Sequence, residues 1–496
     1  MSCPRHATGA TQSWLPLNRM EPGNTGTGQI NASRRILDHF GLSNVERTVL
    51  VLGVLLRLYL AVVNTEANDD HLAVIKIIAR QHRLPRLREV WEGFQPKLYH
   101  VPVAILWNLN PWQSSMVEVR IAQLVSCAAG IATLFVVYQA LRHWNIPGEM
   151  RLLTLGLVAF NPTLVGLNAQ ATNDSFVILF TSLALIKGGE FFRTGARRAF
   201  IIMSASVVLA ALSKGNGLVV FIAVMLTLIL AIIRPRSVPG LSRRQLVGLT
   251  TGFIAIFLVF TISLGSYRPN WEDTGNPFAI NGDPAPWPHL FERTYVYRPG
   301  TTSIADTYFT FRFVELLRYP MITNDPVDYP LHRTSLWSQL YGRAHFGHFA
   351  QHPPSWKSTH PLVLNLGRLI LALALLPTAC LLMGILRRVA VLMIPGRREA
   401  SSHQARLDEV LYALAAAGFL AFVVLYSLSY RDFSTMKAEF LFPGLLAYLY
   451  VFAHEAQRAD ARWAQWPRLR ESGRWVFAAL LMLYVTDVIV LAVQLT

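Results

Sequence analysis

The chain has 496 residues, of which 53% are hydrophobic and only 15% are charged, and its formal net charge is +16. A soluble protein usually has about a quarter charged residues, so this composition argues against a soluble protein. In a soluble chain such an excess of positive charge would indicate a nucleic-acid partner. Here the basic residues lie between long apolar stretches, which indicates membrane topology, and no nucleic-acid partner is expected.

Residues 1–46 are polar, with glycine, proline and arginine, and they lack the short apolar core of a signal peptide. We expect them to form a flexible cytoplasmic tail. The next stretch, Arg47–Asn64, is then expected to be the first membrane span and an uncleaved insertion signal.

Eleven stretches are apolar enough for helices that cross a hydrocarbon core of about 30 Å. They are Arg47–Asn64, Ile121–Leu141, Met150–Leu167, Asp174–Gly189, Ala199–Ser213, Gly217–Ile233, Leu246–Gly265, Pro361–Ile385, Val410–Ser429, Phe440–His454 and Trp475–Leu495. The predicted fold is an all-α polytopic membrane protein of about eleven transmembrane helices. Its expected regions are a transmembrane core at 47–266, an outer region at 267–360 and further transmembrane helices at 361–496.

Basic residues concentrate in the connections that follow the even-numbered spans, such as Arg193, Arg197 and Arg198 after the fourth. The long connection Tyr267–His360, between the seventh and eighth spans, is balanced, with eight basic and eight acidic residues. Because cytoplasmic loops carry the excess of arginine and lysine, the N-terminus is predicted inside and the long connection outside.

Two predicted outer segments are too long to be simple connectors. The first, Thr65–Arg120, contains His71–Arg83, where apolar and basic residues recur as in a helix that lies in the membrane interface. The second is Tyr267–His360, whose aromatic residues and prolines predict short helices packed on the membrane face.

Two adjacent carboxylates, Asp69 and Asp70, follow the first span. The simpler interpretation is a hydrated turn that caps a helix. The functional interpretation is a general base or a metal ligand at the membrane surface. Neighbouring carboxylates repel each other, so one pKa tends to rise toward the range that suits a base.

Four more polar clusters fall on the predicted outer side. They are Trp91–His100, Asn173–Ser175, Ser213–Gly217 and Tyr430–Phe440. Each has a structural alternative: an aromatic belt with a snorkelling lysine, a helix cap, a tight turn or a solvated loop. Outward cations, however, oppose the positive-inside rule, and these clusters contain four of them: Lys97, Lys214, Arg431 and Lys437. With carboxylates nearby, they indicate an anionic ligand, such as the phosphate of a membrane-embedded lipid carrier.

The histidines at 345, 348 and 352 would share one face of a helix, which makes a metal site conceivable. No acidic or cysteine ligand accompanies them, so substrate contacts or interface histidines are the favoured interpretation. The sequence has no HExxH, GxSxG, Walker or GxGxxG motif, which argues against several soluble enzyme classes.

The order and common sidedness of these motifs resemble those of GT-C glycosyltransferases, of the protein O-mannosyltransferase and lipid A aminoarabinose transferase type. The motifs are the acidic pair, Gln-Pro-Lys-Leu-Tyr-His at 95–100, Asn-Asp at 173–174, Lys-Gly at 214–215 and Lys-Ala-Glu-Phe-Leu-Phe-Pro at 437–443. The resemblance covers about residues 47–455. It implies transfer of a sugar from a polyprenyl-phosphate or dolichyl-phosphate carrier to a protein, lipid or glycan acceptor outside the cytoplasm.

The resemblance also implies roles for residues. Asp69 would be the general base, and Asp70 would support it or hold the acceptor. Candidates for the carrier phosphate are Lys97, Tyr99, His100, Lys214, Arg431 and Lys437. Candidates for other substrate contacts are Gln95, Asn173, Asp174 and Glu439. Many relatives work without a metal, so none is expected, although related oligosaccharyltransferases need one.

This chain departs from the family pattern at two places. It has Asp-Asp where relatives often have Asp-Glu, which leaves open which carboxylate acts. It also has Pro-Lys-Leu-Tyr where they often have Pro-Pro-Leu-Tyr, so Lys97 is interpreted as a replacement for a cation found elsewhere in relatives.

A transporter or flippase is the main alternative, and a non-enzymatic membrane protein is the second. Transporters usually bind substrate near the bilayer midplane, whereas charged residues are scarce within these spans. The long connection has no Asn-x-Ser/Thr site for glycosylation, which favours a bacterial inner membrane with the site facing the periplasm.

Overall fold

The computed structural model describes residues 43–65, 70–112, 114–234, 238–280, 303–321, 335–347, 359–393, 407–430 and 436–494. The regular elements in these ranges are helices. In chain order they are α1 Asn44–Val63, α2 His71–Gln81, α3 His100–Leu109, α4 Ser115–His143, α5 Gly148–Phe160, α6 Pro162–Asn168, α7 Asp174–Thr194, α8 Arg197–Ser213, α9 Leu218–Ile233, α10 Arg243–Leu264, α11 Tyr267–Thr274, α12 Ile304–Phe309, α13 Phe313–Arg318, α14 Leu336–His345, α15 Pro361–Leu373, α16 Leu375–Met393, α17 Leu407–Tyr430, α18 Leu445–Trp463 and α19 Pro467–Gln494. Short 3-10 turns lie at Trp91–Phe94, Gly215–Gly217, Ala438–Phe440 and Phe442–Gly444.

The helical, polytopic architecture predicted from the sequence is confirmed. Each of the eleven predicted spans falls on a helix or a helix pair of the described ranges. By length and composition, seven of these qualify as membrane spans, with α15 and α16 together as one, and the bent pair α5–α6 adds an eighth. The other three are α1, α8 and α18. Helix α8 has only 17 residues, and α1 and α18 carry several charged residues, so the count of eleven stays a prediction.

Helix α7 is central to the bundle and packs on α4, α8 and α17. Its glycines allow the close approach to α17. A Cβ at Gly188 would lie 2.7 Å from Leu411, and one at Gly189 would lie 2.7 Å from the Tyr412 hydroxyl. Small residues at helix contacts are a usual way to pack helices in membranes, where lipid removes the hydrophobic drive for association.

The third predicted span is broken into α5 and α6, which meet at an angle of 51°. The break is at Asn161-Pro162, because Pro162 has no N–H to donate to the carbonyl of Val158. Asn161 caps α6 by accepting a hydrogen bond from the N–H of Leu164 at 2.8 Å. The sequence predicted one span over Met150–Leu167 and did not predict this bend.

Arg57 of α1 supplies hydrogen bonds at this break. Its guanidinium donates to the carbonyls of Val158 at 3.0 Å and Ala159 at 2.7 Å. Its Nε donates to Asn168 Oδ1 at 2.9 Å. The side chain is buried. A charged side chain inside the membrane requires such partners, so Arg57 ties α1 to the bent pair.

The first predicted outer segment, Thr65–Arg120, which we call the first loop, contains the predicted amphipathic helix, α2. Its residues Val74, Ile75 and Ala79 are buried, and Ile75 and Ala79 join Val103 and Trp107 of α3 in one hydrophobic cluster. Packing against α3, rather than membrane contact alone, therefore fixes the apolar face of α2.

Part of the long connection forms the short helices α11 to α14. Helix α14 ends at His345, and Phe346 is extended, so α14 does not carry three histidines on one face; positions 348 and 352 lie outside the described residues. His345 contacts Tyr484 Oη at 2.6 Å and Thr378 Oγ1 at 3.1 Å with its two ring nitrogens. These contacts anchor the connection to α16 and α19.

Candidate active site

A buried ion pair joins two of the predicted clusters. Lys214 Nζ lies 2.7 Å from Oδ1 and 2.8 Å from Oδ2 of Asp174. Asp174 is the first residue of α7, and Lys214 directly follows the end of α8, so both lie at one end of the bundle. The hydroxyl of Thr172 donates to Asp174 Oδ2 at 2.9 Å and completes what we call the Lys214–Asp174 site.

The motif at 437–443, which we call the late motif, contacts the Lys214–Asp174 site through the aromatic ring of Phe440. Lys214 Nζ is 5.4 Å from the centre of the Phe440 ring, within the range of a cation–π interaction. The 3-10 turn that follows, Phe442–Gly444, packs on α7. Lys437 and Glu439 flank this ring along the chain and are half-buried. The structure thus brings residue 440 to a site formed by residues 174 and 214.

The first loop is attached to the site by an amide pair. Asn173 Nδ2 donates to Gln95 Oε1 at 2.7 Å and to the carbonyl of Ser213 at 2.9 Å. Gln95 in turn donates to the carboxylate of Glu92. Asn173 Oδ1 is buried and has no hydrogen-bond partner in the described part of the chain. Gln95 and Asn173, predicted as substrate contacts, therefore also hold the loop, α7 and α8 together.

Lys97 is surrounded by backbone carbonyls. Its ammonium donates to the carbonyls of Gly93 at 2.7 Å, Gln95 and Glu92, the last at 3.4 Å. Burial lowers the pKa of Lys97 to about 7, while the nearby Glu92 carboxylate raises it. Because the three N–H groups of the ammonium are directed at these carbonyls, this conformation favours a role in holding the turn over direct phosphate binding.

Tyr99 and His100 are fully buried. The Tyr99 hydroxyl donates to the carbonyl of Ala122 at 2.9 Å, and burial raises its pKa. His100 Nε2 lies 2.9 Å from Nδ1 of His71. The placement of both residues favours packing and positioning of the first loop, and their predicted contact with a phosphate stays a prediction.

Of the two acidic residues predicted as catalytic, Asp70 is described and Asp69 lies outside the described residues, as does Arg431. Asp70 precedes α2 at its N-cap position, yet its side chain makes no capping hydrogen bond. A capping hydrogen bond therefore does not account for Asp70, whose side chain is exposed.

The residues just after α10 form hydrogen bonds to the first loop that were not predicted from the sequence. Ser266 Oγ donates to the carbonyl of Gln95 at 2.6 Å, and Asn270 Nδ2 donates to the carbonyl of Phe94 at 3.0 Å. Arg86 and Asp273 form an ion pair at 3.2 Å. The only sequence signal was a polar turn after an apolar span, which is common, so these contacts required the tertiary structure.

In chemical terms, the site is a buried cation paired with a buried carboxylate. An incoming phosphate would compete with Asp174 for Lys214, since both are anionic oxygen acceptors. Within the described ranges, no group of three or more histidine, cysteine or acidic side chains is arranged to hold a metal ion.

Residues 85–267 match the family model of the dolichyl-phosphate-mannose-protein mannosyltransferases. Over these residues the chain is similar to that family. The matched region contains the motifs at 95–100, 173–174 and 214–215, and it confirms the resemblance to GT-C glycosyltransferases that these motifs predict. With its apolar helices, the chain is a multi-pass integral membrane protein.

Solved structures give weaker similarities. One is the Saccharomyces cerevisiae protein O-mannosyltransferase Pmt1-Pmt2 complex bound to the sugar donor, with a TM-score of 0.37, 15% identity and coverage of 52% of this chain and 35% of that one. The present chain therefore spans about a third of that protein. Another is ArnT from Cupriavidus metallidurans in the apo state, with a TM-score of 0.36, 14% identity and coverage of 88% of this chain and 80% of that one. Because these TM-scores lie below 0.5, neither similarity supports a statement about activity. No curated protein matches the sequence.

Proposed function

We propose that this protein is an integral-membrane glycosyltransferase that moves a sugar from a polyprenyl-phosphate carrier to an acceptor on the non-cytoplasmic side. The observation that supports the proposal most is the family match over residues 85–267, because it contains both halves of the Lys214–Asp174 ion pair and the segment at 95–100.

The reaction is a direct displacement. A carboxylate at Asp69 or Asp70 removes the proton of the acceptor hydroxyl, and the acceptor oxygen then forms a bond to the anomeric carbon of the sugar. The bond between that carbon and the phosphate oxygen breaks, and the electron pair remains on the lipid phosphate. Phosphate is a fair leaving group, so the reaction needs cations to stabilise its charge but no strong acid.

Lys214 is the first candidate for the cation that stabilises the phosphate. It is buried at the bundle end, and its present partner, Asp174, is an anion that another anion can replace. Lys437 and Arg431 are proposed to contact the same phosphate from the late motif. Lys97 holds the turn at 92–97 in the position that the amide pair requires.

The sugar is a hexose or a pentose, and mannose is the first to test because the matching family is described by it. The long connection 267–360 is proposed to recognise the acceptor. The proposed location is a bacterial inner membrane, with the N-terminus in the cytoplasm and the site facing the periplasm, as the distribution of basic residues predicts.

The test is sugar transfer by the purified full-length protein in detergent with lipid, from a panel of radiolabelled polyprenyl-phosphate sugars. Asp69→Asn and Asp70→Asn are compared with Asp460→Asn, which alters a carboxylate of α18 that is paired with Arg470 at 2.6 Å and lies outside the proposed site. We expect transfer or donor hydrolysis to disappear in one of the first two variants and to persist in the control.

A different outcome would favour the transporter alternative. If no donor is turned over, while wild type and all three variants bind polyprenyl phosphate with equal affinity, the protein recognises the carrier without performing chemistry on it.

A further inference from the structure

Two buried histidines face each other where α2 and α3 begin, and Asp70 precedes one of them in the chain. His71 is the first residue of α2 and His100 is the first residue of α3. Nδ1 of His71 lies 2.9 Å from Nε2 of His100, and the ring centres are 5.0 Å apart. Both side chains are fully buried. The N-terminal ends of two helices thus meet through two imidazoles, and Asp70 immediately precedes one of them.

The surroundings of the pair are largely apolar. The Tyr99 ring contacts both imidazoles edge-on, with its centre 6.2 Å from that of His71 and 5.3 Å from that of His100. Phe176 of α7 packs edge-on against Tyr99 at 5.5 Å. Charged groups on the neighbouring elements are Asp70, Glu92, Lys97, Glu118, Arg120 and Asp174. Burial first, then the charges of His71 and Lys97, lower the pKa of His100 well below its usual value, so the ring is neutral at pH 7.

The chemistry of the contact allows one proton between the rings. One imidazole donates an N–H, and the other must accept with a bare nitrogen. Protonation of the accepting nitrogen would place two N–H groups opposite each other and abolish the hydrogen bond. His100 Nδ1 is buried without a hydrogen-bond partner in the described part of the chain.

We propose that the His71–His100 pair is a positioning element that holds the start of α2, and with it the Asp70 carboxylate, against α3. The buried apolar residues of α2 begin one turn later, at Val74 and Ile75, so the imidazole contact fixes the turn nearest to the carboxylate. Protonation of the accepting nitrogen at acid pH releases this turn. The role of Asp70 in this inference rests on the proposed function, whereas the anchoring of α2 does not.

The test compares His100→Ala with His100→Gln in the full-length protein. The glutamine amide can reach the position of Nε2 and does not ionise in the pH range studied. We expect His100→Ala to lower kcat at least 10-fold, with the KM for the lipid-linked donor within twofold of wild type, because misplacement of a base by about 1 Å costs up to about 100-fold. His100→Gln should retain kcat within threefold and extend activity to lower pH than wild type.

Hydrogen exchange of the peptide that covers α2 is the second readout. His100→Ala should exchange faster than wild type at pH 7, and wild type should approach that rate at acid pH, whereas His100→Gln should not. Unchanged exchange in His100→Ala, unchanged kcat in that variant, or a loss confined to KM would each overturn the proposal. If wild type transfers no sugar at all, the proposed function fails, and the exchange rates still decide whether the pair anchors α2.

Discussion

Two buried cations of this protein, Arg57 and Lys214, have different kinds of partners. Arg57 donates to two carbonyls beside the break in the third span and to the oxygen of Asn168. Lys214 is bound by the carboxylate of Asp174. Carbonyls of a helix are neutral acceptors, whereas Asp174 is an anion, as is the phosphate that Lys214 is proposed to bind. The charge of the partner therefore distinguishes a structural site from a candidate binding site better than the cation itself does.

Lys97 is a third buried cation in this comparison, and its predicted contact with a phosphate stays a prediction. Its position in the Pro-Lys-Leu-Tyr motif suggested a phosphate ligand. In the structure three carbonyls accept from it, as carbonyls do from Arg57. Lys97 therefore resembles the structural cation, and its proposed role is to support the turn.

The largest effect is expected at the Lys214–Asp174 site. Lys214→Met leaves a buried carboxylate without its cation, which should lower the free energy of unfolding by about 3–5 kcal/mol. The double variant with Asp174→Asn should recover most of that stability but should still fail to bind polyprenyl phosphate. Thermal unfolding and binding of radiolabelled polyprenyl phosphate measure the two quantities. Normal binding by the double variant would place Lys214 among the structural cations.

A somewhat smaller effect is expected at Arg57. Arg57→Met should lower the free energy of unfolding by about 2–4 kcal/mol, because it leaves buried carbonyls without donors. Pro162→Ala supplies an N–H to the carbonyl of Val158, so the loss should be smaller in that background. A double-mutant cycle by thermal unfolding measures the coupling. Strictly additive losses would show that Arg57 does not stabilise the break.

At Lys97 the expected effect depends on pH. The pKa of its folded form is about 7, below the ordinary value of 10.5, so between these pH values the unfolded chain binds more protons than the folded one. The free energy of unfolding should therefore rise with pH across this window, and this contribution is lost as pH falls through 7. Lys97→Met should remove it.

The measurement for Lys97 is the difference in Tm between wild type and Lys97→Met from pH 7 to 10. Lys76→Met, which alters an exposed lysine of α2, serves as the control. A difference that stays constant with pH would show that the carbonyls keep Lys97 charged throughout, which contradicts the lowered pKa.

The smallest effect is expected at Phe440. Phe440→Leu keeps an apolar cover over Lys214 but removes the ring, so the cation–π contribution of about 0.5–1 kcal/mol is lost. Equilibrium binding should show a two- to fivefold weaker affinity for polyprenyl phosphate. Phe422→Leu, at a ring whose centre is 6.4 Å from that of Phe440, is the matched control. Equal affinities in the two variants would remove Phe440 from the site.

Much of the helical framework could be predicted from the sequence, because apolar length and the positions of arginine and lysine report directly on membrane spans. The bend within the third span was not predicted, because the segments on both sides of Asn161-Pro162 are apolar. The sequence also provided no reason to pair Arg57 with carbonyls about 100 positions away.

The sequence by itself determined which segments are apolar, which polar residues interrupt them and that the interruptions recur at one end of the spans. Only the tertiary structure decided which polar residues are partners. Lys214 is bound to Asp174, Lys97 to its own turn and His100 to His71. The physical reason is that burial forces each polar group to find a partner, and helix packing, which depends on contacts far apart in the chain, decides which partners are within reach.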